Sequence, residues 1–577
     1  MSLEIDYDKN RWIITGGIRD AERMALVPNT MAVRKSEPGV AKWRAPASLS
    51  VAKQLHNTFG ELEWTEDAKE HRADLSKVRK ERLNAKEGKT SQLFYDDRLS
   101  PLQNHGVDWL MCGSGQLSDD QGSGKTVMLC LAAHHLPSSD VLVVTTKSTL
   151  GSWMDHMEEW TDITPFLFHG TKKEQETALA EYEAFDGRRA LITTHALAGN
   201  NSRLASYGAI AASGEDGPLN RQFDIGIVDE IHKMGKDPKN KWVRALWAIG
   251  SNCTVRWGAT GTPVNDNPED LWVLMHFIEP TLFGRSRNGY RGRYCIMRDN
   301  GFRLENMGLH PDAEEEFQWV LAPYFLRRLK QEVVVGLPEQ LPTQYIRLPL
   351  TPAQKKAYGQ LTRDMMAEVG DGILITPDSL GKLQGLEYIA DGLPVVDDDG
   401  SVSSLDTRLS TSNKGQYLVD VAEQRNGDPF VVYAFSSKTV DALATMLEEK
   451  EYRVAKITGA VDQEQRDIYI DMFQDGKLDV LFITDAGAEG ITLTAADLVI
   501  FARESWRAVT NQQVADRINR WGQTRRPQVQ VLLSEGTIDM SRRKAVVNKQ
   551  DMQEQVLRDK KRIKAFAQGE LDPAEEF

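Results

Sequence analysis

A glycine-rich segment from Ser118 to Thr126, S-D-D-Q-G-S-G-K-T, holds residue types suited to binding phosphate. Glycine-rich turns let backbone N–H groups surround phosphate oxygens, and the N-terminus of a following helix adds positive potential. We expect that helix to run from Lys125 toward Leu136, so that Lys125 reaches the β- and γ-phosphates of a nucleotide while Thr126 binds Mg²⁺. The expected phosphate-binding residues are Gln121, Gly122, Ser123, Gly124, Lys125 and Thr126.

The phosphate-loop match is incomplete at one position. The general pattern G-x-x-x-x-G-K-[ST] has glycine where this chain has Asp119. A short match of this kind also occurs in ordinary glycine-rich loops of α/β domains. The segment alone therefore leaves both interpretations open.

Two adjacent acids end the apolar segment F-D-I-G-I-V-D-E-I-H, whose last four residues run from Asp229 to His232. An acid at the end of a buried strand can hold Mg²⁺ through water, which is the role expected for Asp229. Glu230 is then placed to orient or deprotonate an attacking water. The alternative, a pair of capping acids, is disfavoured because the pair follows a phosphate-binding loop.

Two arginines near the C-terminal end could complete this chemistry. Phosphoryl transfer spreads negative charge over the γ-phosphate oxygens, and an arginine from a neighbouring lobe stabilises it. Arg517 and Arg520 are three residues apart, which predicts that they share one helix face. The alternative is a surface helix with salt bridges, which the neighbouring Asp516, Gly522 and Gln523 make less favoured.

Apolar strands alternate with amphipathic helices in two stretches of the chain. The predicted strands are residues 141–146, 190–194, 223–228 and 255–260, and then 430–435, 453–457, 479–484, 497–501 and 529–533. Such alternation predicts an α/β fold with two parallel sheets that have helices on both faces. Ligands are expected at the carboxyl ends of the strands.

The other segments have less regular patterns. Residues 11–17 and 41–46 are predicted strands, and Ser50 is predicted to cap the helix that follows it. Residues 66–90 are expected to be helical or mobile. The remaining expectations are long helical stretches in 265–350, an acidic surface loop at 391–406 and a disordered tail at 569–577.

The composition limits the class of protein. A chain of 577 residues is too long to fold around one hydrophobic core. Its contents of 41% hydrophobic and 27% charged residues are ordinary for a globular protein. No 18-residue apolar run and no signal-peptide pattern is found, so no membrane contact is expected. Four scattered cysteines without a C-x-x-C pair argue against a zinc site and fit a reducing cytoplasm.

The net charge of −14 alone argues against a nucleic-acid partner, but binding depends on the local potential. Each basic cluster is either a solvated face or a nucleic-acid contact. The three clusters are Arg285, Arg287, Arg291, Arg293, Arg298 and Arg303; Arg503, Arg507, Arg517, Arg520, Arg525 and Arg526; and Arg558, Lys560, Lys561, Arg562 and Lys564.

A series of motifs in fixed order resembles the Swi/Snf-type branch of helicase superfamily two, whose members carry a DEAH-like box. Beside the phosphate loop and D-E-I-H, the series comprises R-L-S-P-L-Q-N-H-G-V-D-W-L (98–110), G-A-T-G-T-P-V-N-D-N-P-E-D-L-W (258–272), Y-F-L-R-R-L-K-Q-E-V (324–333), E-G-I-T-L-T-A-A-D (489–497) and D-R-I-N-R-W-G-Q-T (516–524). The resemblance covers about residues 98–540, and T-G-T-P-x-x-N and D-R-x-x-R-x-G-Q are its most specific parts.

The resemblance implies two RecA-like lobes, with ATP and Mg²⁺ bound between them, and a role for each matching residue. Gln103 would read the adenine edge, Gln513 would lie near the nucleotide, and Arg517 and Arg520 would be the arginine fingers. Lys125, Thr126, Asp229 and Glu230 would perform hydrolysis. The implied coupling residues are His232, Thr260, Gly261 and Thr262, and the implied DNA-backbone contacts are Thr145, Thr194, Thr484 and Gly487.

Some positions depart from the family. Ile231 replaces alanine, Asp485 stands where many relatives have arginine, and Glu489 and Asn519 replace leucine and histidine. An acid at 485 would weaken a DNA grip there. The N-terminal region resembles the accessory domain of annealing helicases, so Trp12 and Trp43 either stack on bases or belong to the core of a small β domain.

These features predict a DNA-dependent ATPase that translocates on double-stranded DNA, in the cytoplasm of a bacterial or phage-infected cell. The alternatives are a strand-separating DNA or RNA helicase and a nucleotide-gated scaffold with little hydrolysis. A protein partner is left open. The expected parts are an N-terminal α+β accessory region (1–90), the first lobe (91–264), helical insertions and a linker (265–411), the second lobe (412–545), and a C-terminal helix with an acidic tail (546–577).

Overall fold

The computed structural model divides the chain into two compact units, Met1–Val333 with Met552–Phe577 and Val334–Asp551, whose main boundary lies between Val333 and Val334. This boundary lies inside the predicted segment 265–411, and the five-part division stays a prediction. The structure describes residues 3–27, 30–33, 40–89, 94–201, 219, 221–235, 237–263, 268–284, 286–299, 304–334, 336–370, 372–376, 378–398, 400–485, 487, 491–520 and 522–557.

The first unit begins with a five-stranded sheet of order β3-β4-β2-β1-β5. Its elements are β1 (Glu4–Asp8), β2 (Arg11–Gly17), α1 (Ala21–Met24), β3 (Met31–Ala32), β4 (Val40–Pro46), α2 (Leu49–Phe59), β5 (Glu63–Trp64) and α3 (Glu66–Lys86). Trp12 and Trp43 are buried in its core, the second of the two interpretations above. The predicted cap is wrong by two positions, because Ser48 rather than Ser50 accepts the N–H of Val51.

A seven-stranded sheet of order β14-β6-β11-β10-β7-β9-β8 forms the centre of the first unit, and its described strand pairs are parallel. Its strands, with the separate hairpin β12–β13, are β6 (Gly115–Leu117), β7 (Asp140–Thr145), β8 (Thr164–Phe168), β9 (Arg189–Thr194), β10 (Phe223–Asp229), β11 (Cys253–Ala259), β12 (Cys295–Asp299), β13 (Leu304–Leu309) and β14 (Phe325–Leu326).

Helices cover both faces of this sheet, as the buried clusters on its two sides show. They are α4 (Pro101–Met111), α5 (Lys125–His135), α6 (Leu150–Trp160), α7 (Lys172–Ala184), α8 (His195–Asn201), α9 (Lys241–Ser251), α10 (Glu269–Ile278), α11 (Arg287–Tyr294), α12 (Glu314–Leu321) and α13 (Lys330–Val333). The long helices expected in 265–350 are wrong, because a hairpin and short helices of 10, 8 and 8 residues stand there.

The second unit is built on a parallel six-stranded sheet of order β15-β24-β23-β20-β22-β21. The strands of this unit are β15 (Gln344–Leu348), β16 (Met366–Val369), β17 (Gly372–Ile375), β18 (Leu393–Val396), β19 (Val402–Asp406), β20 (Phe430–Ala434), β21 (Val454–Ile457), β22 (Val480–Ile483), β23 (Leu498–Arg503) and β24 (Gln528–Ser534). The helices are α14 (Pro352–Asp364), α15 (Ser379–Asp391), α16 (Asn413–Arg425), α17 (Ser437–Glu448), α18 (Gln463–Gln474), α19 (Ala508–Ala515) and α20 (Ile538–Leu557), of which α20 belongs to this unit up to Asp551.

The predicted α/β class with two parallel, helix-flanked sheets is confirmed, and it is consistent with two RecA-like lobes. The acidic loop predicted at 391–406 is wrong, because β18 and β19 form an antiparallel hairpin there. Asp391 is buried and pairs with Lys414 at 2.8 Å. No helix among the described residues has the length and apolar character needed to cross a membrane.

Candidate active site

The glycine-rich turn leaves the carboxyl end of β6 and leads into α5, which begins at Lys125 as predicted. Gly122 and Gly124 have φ of +78° and +82°, a backbone region that residues with a Cβ rarely adopt. Gly124 is the N-cap of the helix. The first N–H groups of α5 have no acceptor within the helix, so the N-terminus of α5 can bind an anion at the turn.

Polar side-chain atoms inside the turn fit a polar ligand. Gln121 is 6% exposed and Ser123 is fully buried. Within the described residues, both polar atoms of the Gln121 side chain and the Ser123 hydroxyl have no hydrogen-bond partner. Buried polar groups cost free energy when they are unpaired. Phosphate oxygens and their bound water could supply the missing partners, so the turn is chemically suited to bind a phosphate.

Lys125 points back into the turn. Its ammonium donates to the carbonyl oxygens of Asp119 at 2.8 Å and Asp120 at 3.0 Å. Burial lowers the pKa of Lys125, while the negative charges of Glu230 and Asp119 oppose that shift. The ammonium is thus a cation held at the phosphate turn by neutral acceptors that a phosphate oxygen can replace. Thr126, the next residue of α5, is half-buried.

Gln103 lies against the same turn. It is the third residue of α4, where it forms a capping box with Ser100. Its amide nitrogen donates to the Ser123 carbonyl at 2.9 Å. A Cβ placed on Gly124 would lie 2.5 Å from that nitrogen, so the contact depends on glycine. Recognition of adenine by Gln103 stays a prediction.

Asp229 ends β10 and is held by three donors. One carboxylate oxygen, Oδ2, accepts the indole N–H of Trp153 at 2.9 Å and the hydroxyl of Thr145 at 3.1 Å. The other, Oδ1, accepts the backbone N–H of Glu230 at 2.9 Å. Such a carboxylate is oriented by the protein and suited to hold a hydrated cation.

Glu230 has a left-handed backbone, with φ of +45° and ψ of +44°. This conformation is uncommon for glutamate and is concentrated at functional sites. Its carboxylate accepts the Thr260 hydroxyl at 3.2 Å and lies 3.3 Å from His232 Nδ1, with 22% of the side chain exposed. A partly open, oriented carboxylate beside Lys125 can position or deprotonate a water.

The two acids differ in electrostatics. Burial raises the pKa of Asp229, and the charge of Glu230 raises it further. Burial also acts to raise the pKa of Glu230, but the hydrogen bond and charge of His232 and the charge of Lys125 lower it overall. Glu230 is therefore ionised at neutral pH, as a carboxylate that orients water must be.

The four predicted coupling residues meet Glu230 and the turn. His232 Nδ1 lies 2.7 Å from the Thr260 hydroxyl, which also accepts the Thr262 N–H at 3.0 Å. A Cβ on Gly261 would lie 2.6 Å from Gln121 Cγ. The structure thus brings His232 and the 260–262 segment to the predicted catalytic acid; their coupling role stays a prediction.

The predicted DNA-backbone residues in the first unit are mostly buried. Thr145 is fully buried between Thr149 and Asp229, and the Thr194 hydroxyl accepts the Leu197 N–H at 3.2 Å. In the second unit Thr484 is 7% exposed, and the Gly487 carbonyl accepts from Arg466 at 3.0 Å. Their contact with DNA stays a prediction, and Thr145 also supports Asp229.

The predicted arginine fingers do not share a helix face. Helix α19 includes Gln513 but ends at Ala515, so Arg517 and Arg520 lie in the turn that follows. The Gln523 amide donates to the Ile518 and Ala496 carbonyls at 2.8 and 2.7 Å, so a side chain satisfies one of the carbonyls of this turn. Arg520 donates to the Thr492 hydroxyl at 3.0 Å.

Two of the residues that depart from the family pattern form side-chain hydrogen bonds within the chain. The Tyr433 hydroxyl donates to Asp485, and the Asn519 amide donates to Gln340 at 3.2 Å. Glu489 lies outside the described residues. In the first basic cluster Arg287 and Arg291 pair with the buried Glu269.

Comparison with known proteins finds two domain matches and several relatives. The SNF2-related domain matches residues 102–384, and the helicase conserved C-terminal domain matches residues 413–522. The chain is 26% identical to the ISWI chromatin-remodeling complex ATPase ISW1 of Saccharomyces cerevisiae, over 78% of this chain and 40% of that protein. It is also 26% identical to the DNA excision repair protein ERCC-6-like of Bos taurus, over 79% and 41%.

A solved structure, the Sulfolobus solfataricus SWI2/SNF2 ATPase core in complex with dsDNA, is 23% identical with a TM-score of 0.36, covering 77% of this chain and 89% of that one. The chain spans less than half the length of the curated relatives it matches. The two domain matches together cover most of residues 102–522. The chain therefore has an SNF2-related domain followed by a helicase C-terminal domain, the domain pair of an ATP hydrolase, and this pair supports membership of the Swi2/Snf2 family of helicase superfamily two.

Proposed function

We propose that this chain is a DNA-dependent ATPase that moves along double-stranded DNA. The observation that supports it best is the convergence of Lys125, Asp229, Glu230 and Thr260 at the carboxyl ends of β6, β10 and β11. A cation for phosphate, an oriented acid for a metal and an ionised acid for water are the groups that ATP hydrolysis needs.

Each residue has a distinct role in this proposal. Backbone N–H groups of the turn and Lys125 bind the phosphates, and Glu230 orients and accepts a proton from the attacking water. Thr126 and Asp229 would hold Mg²⁺, which neutralises phosphate charge when bound. Arg517 and Arg520, from the second unit, stabilise the charge that develops on the γ-phosphate.

DNA as the partner is supported by the family and by relatives whose names refer to DNA repair and chromatin remodelling. Alternating closure of the two lobes would move the chain along one strand. A bacterial or phage source and a cytoplasmic location remain parts of this proposal.

Displacement of a third strand from a DNA triplex tests movement along the duplex. We expect ATP-dependent displacement that is lost in Lys125→Ala and in Glu230→Gln, with ATP hydrolysis lowered at least about 10²-fold in both. Displacement of a paired strand from a fork, without triplex displacement, would favour the strand-separating helicase. Near-normal hydrolysis in either variant would refute the assigned roles.

A further inference from the structure

Arg327 bridges the phosphate turn and the Thr260–Thr262 segment. It follows β14, whose parallel pairing with β6 sets Leu326 opposite Leu117 and so brings Arg327 beside Ser118. One guanidinium nitrogen, Nη1, donates to the carbonyls of Ser118 at 2.7 Å and Gly261 at 3.1 Å. The same nitrogen lies 2.9 Å from Asp120 Oδ1.

The bridge is buried and braced on both sides. Arg327 is 9% exposed, so its hydrogen bonds are poorly screened by water. The Asp120 N–H donates to the Arg328 carbonyl at 3.1 Å, and the Lys330 N–H donates to Asp120 Oδ2 at 3.0 Å. Asp120, a residue of the phosphate turn, is thereby bonded to the segment that follows β14.

Arg328, the neighbouring arginine, has a different role. Its guanidinium Nε lies 3.1 Å from both carboxylate oxygens of Asp119, and both side chains are fully buried. This pair explains how the turn tolerates an acid where the general phosphate-loop pattern has glycine. It holds the turn to β14, whereas Arg327 also contacts Gly261.

We propose that Arg327 is a positioning residue that transmits nucleotide binding from the phosphate turn to the Thr260–Thr262 segment. The proposal rests on the proposed ATPase function. When Lys125 binds a phosphate it gives up the carbonyls of Asp119 and Asp120, and the turn rearranges around Asp120. Arg327 holds that residue and the Gly261 carbonyl together, so the change reaches Thr260, whose hydroxyl contacts Glu230.

Amide hydrogen exchange of the full chain tests the bridge with and without Mg²⁺ and a non-hydrolysable ATP analogue. In the unaltered protein we expect the analogue to slow exchange in both 118–126 and 256–263. In Arg327→Met only the first segment should be protected, and without analogue the second should exchange about tenfold faster. Arg327→Lys should restore part of the protection because it keeps one donor.

The control is Arg98→Met, which removes a surface guanidinium that is 53% exposed. Full protection of 256–263 in Arg327→Met would overturn the proposal. If the analogue protects neither segment of the unaltered protein, the proposed ATPase function is wrong. The bridge is then tested without analogue: exchange of 256–263 that is the same in Arg327→Met as in the unaltered protein would overturn it as well. Kinetically, Arg327→Met should lower kcat while ATP affinity changes less than about threefold.

Discussion

At Asp229, the indole of Trp153 and the hydroxyl of Thr145 fix one carboxylate oxygen. Hydrogen bonds of this kind to a charged group are worth about 1.5–3 kcal/mol. Trp153→Phe removes the indole N–H and keeps a ring in the buried site. We expect kcat to fall about tenfold, or the Mg²⁺ concentration for half-maximal hydrolysis to rise by a similar factor, when hydrolysis is measured against Mg²⁺.

Trp160→Phe is the matched control, since Trp160 ends the same helix and contacts Arg98 instead. It should leave the Mg²⁺ dependence unchanged. An unaltered Mg²⁺ dependence in Trp153→Phe would show that the indole does not position the carboxylate.

His195 is also part of this site, since its Nε2 lies 2.7 Å from the Asp229 carbonyl. Burial lowers the pKa of His195 from 6.5 to about 4. The unfolded chain therefore binds a proton that the folded chain does not, and stability should fall as the pH drops from 6.5 toward 4. Between pH 7 and 4.5 the unaltered chain should lose about 2–3 kcal/mol more than His195→Gln in urea unfolding. Equal losses would mean that His195 titrates normally.

At the level of single residues, the sequence predicts the groups proposed to touch the nucleotide but not Trp153, His195 and Arg327, which contact those groups or the phosphate turn. Lys125, Asp229 and Glu230 belong to short local motifs. Trp153 and His195 reach Asp229 from segments far away in the sequence, and Arg327 reaches the phosphate turn through β14. Their contacts arise from strand order, for which the sequence has no local signal.

At the level of elements, the N-terminal sheet is joined to the rest of the first unit by a buried polar cluster. Arg293 pairs with Glu316 at 2.6 Å and also donates to the Thr58 hydroxyl, and the Asn57 amide donates to Glu316 at 2.7 Å. The Gln54 amide donates to the Tyr294 hydroxyl at 2.9 Å. The accessory region is therefore an integral part of the first unit, and removing it would leave Glu316 without some of its partners.

Arg293→Met should destabilise this junction, because breaking a buried ion pair costs about 3–5 kcal/mol. We expect faster hydrogen exchange in α2 and α12. The control is Arg298→Met, an exposed residue on β12. Exchange in α2 that matches the control would contradict the assigned junction. For the same reason, base contacts by the accessory region are better tested by surface substitution than by truncation at residue 91.

The sheet strands were predictable because long apolar runs bounded by polar turns specify buried parallel strands. For example, residues 141–146 form β7 at Asp140–Thr145. Features set by tertiary contacts were not predictable. Helix α19 ends before the turn in which the Gln523 amide bonds the Ile518 carbonyl. Within the acidic segment 391–406, Asp391 ends α15 and pairs with the buried Lys414, and the residues after it form the β18–β19 hairpin.

At the level of the whole molecule, the proposed DNA binding has to be reconciled with a net charge of −14. Some of the clustered arginines form ion pairs within the chain, as Arg291 does with Glu269 and Arg293 with Glu316. The remaining cations would release counterions from DNA, so affinity should fall about 10³-fold between 50 and 200 mM salt. A fluorescence titration with a labelled duplex measures this, and an affinity independent of salt would mean that basic clusters do not bind the backbone.

The groups proposed for hydrolysis are divided between the two units. Lys125, Asp229 and Glu230 precede the boundary at Val333, whereas Arg517 and Arg520 follow it. Under the proposed function, turnover needs the arginines of the second unit as well as the lysine and the acids of the first. Arg520→Ala should accordingly lower kcat far more than nucleotide affinity.

The most direct measurement is the rate of ATP hydrolysis with no polymer, duplex DNA, single-stranded DNA or RNA, with Lys125→Ala as the blank. We predict strong stimulation by duplex DNA and a rate near the blank without polymer. Stimulation by single strands or RNA alone, or hydrolysis that no polymer changes, would contradict a motor that moves on double-stranded DNA.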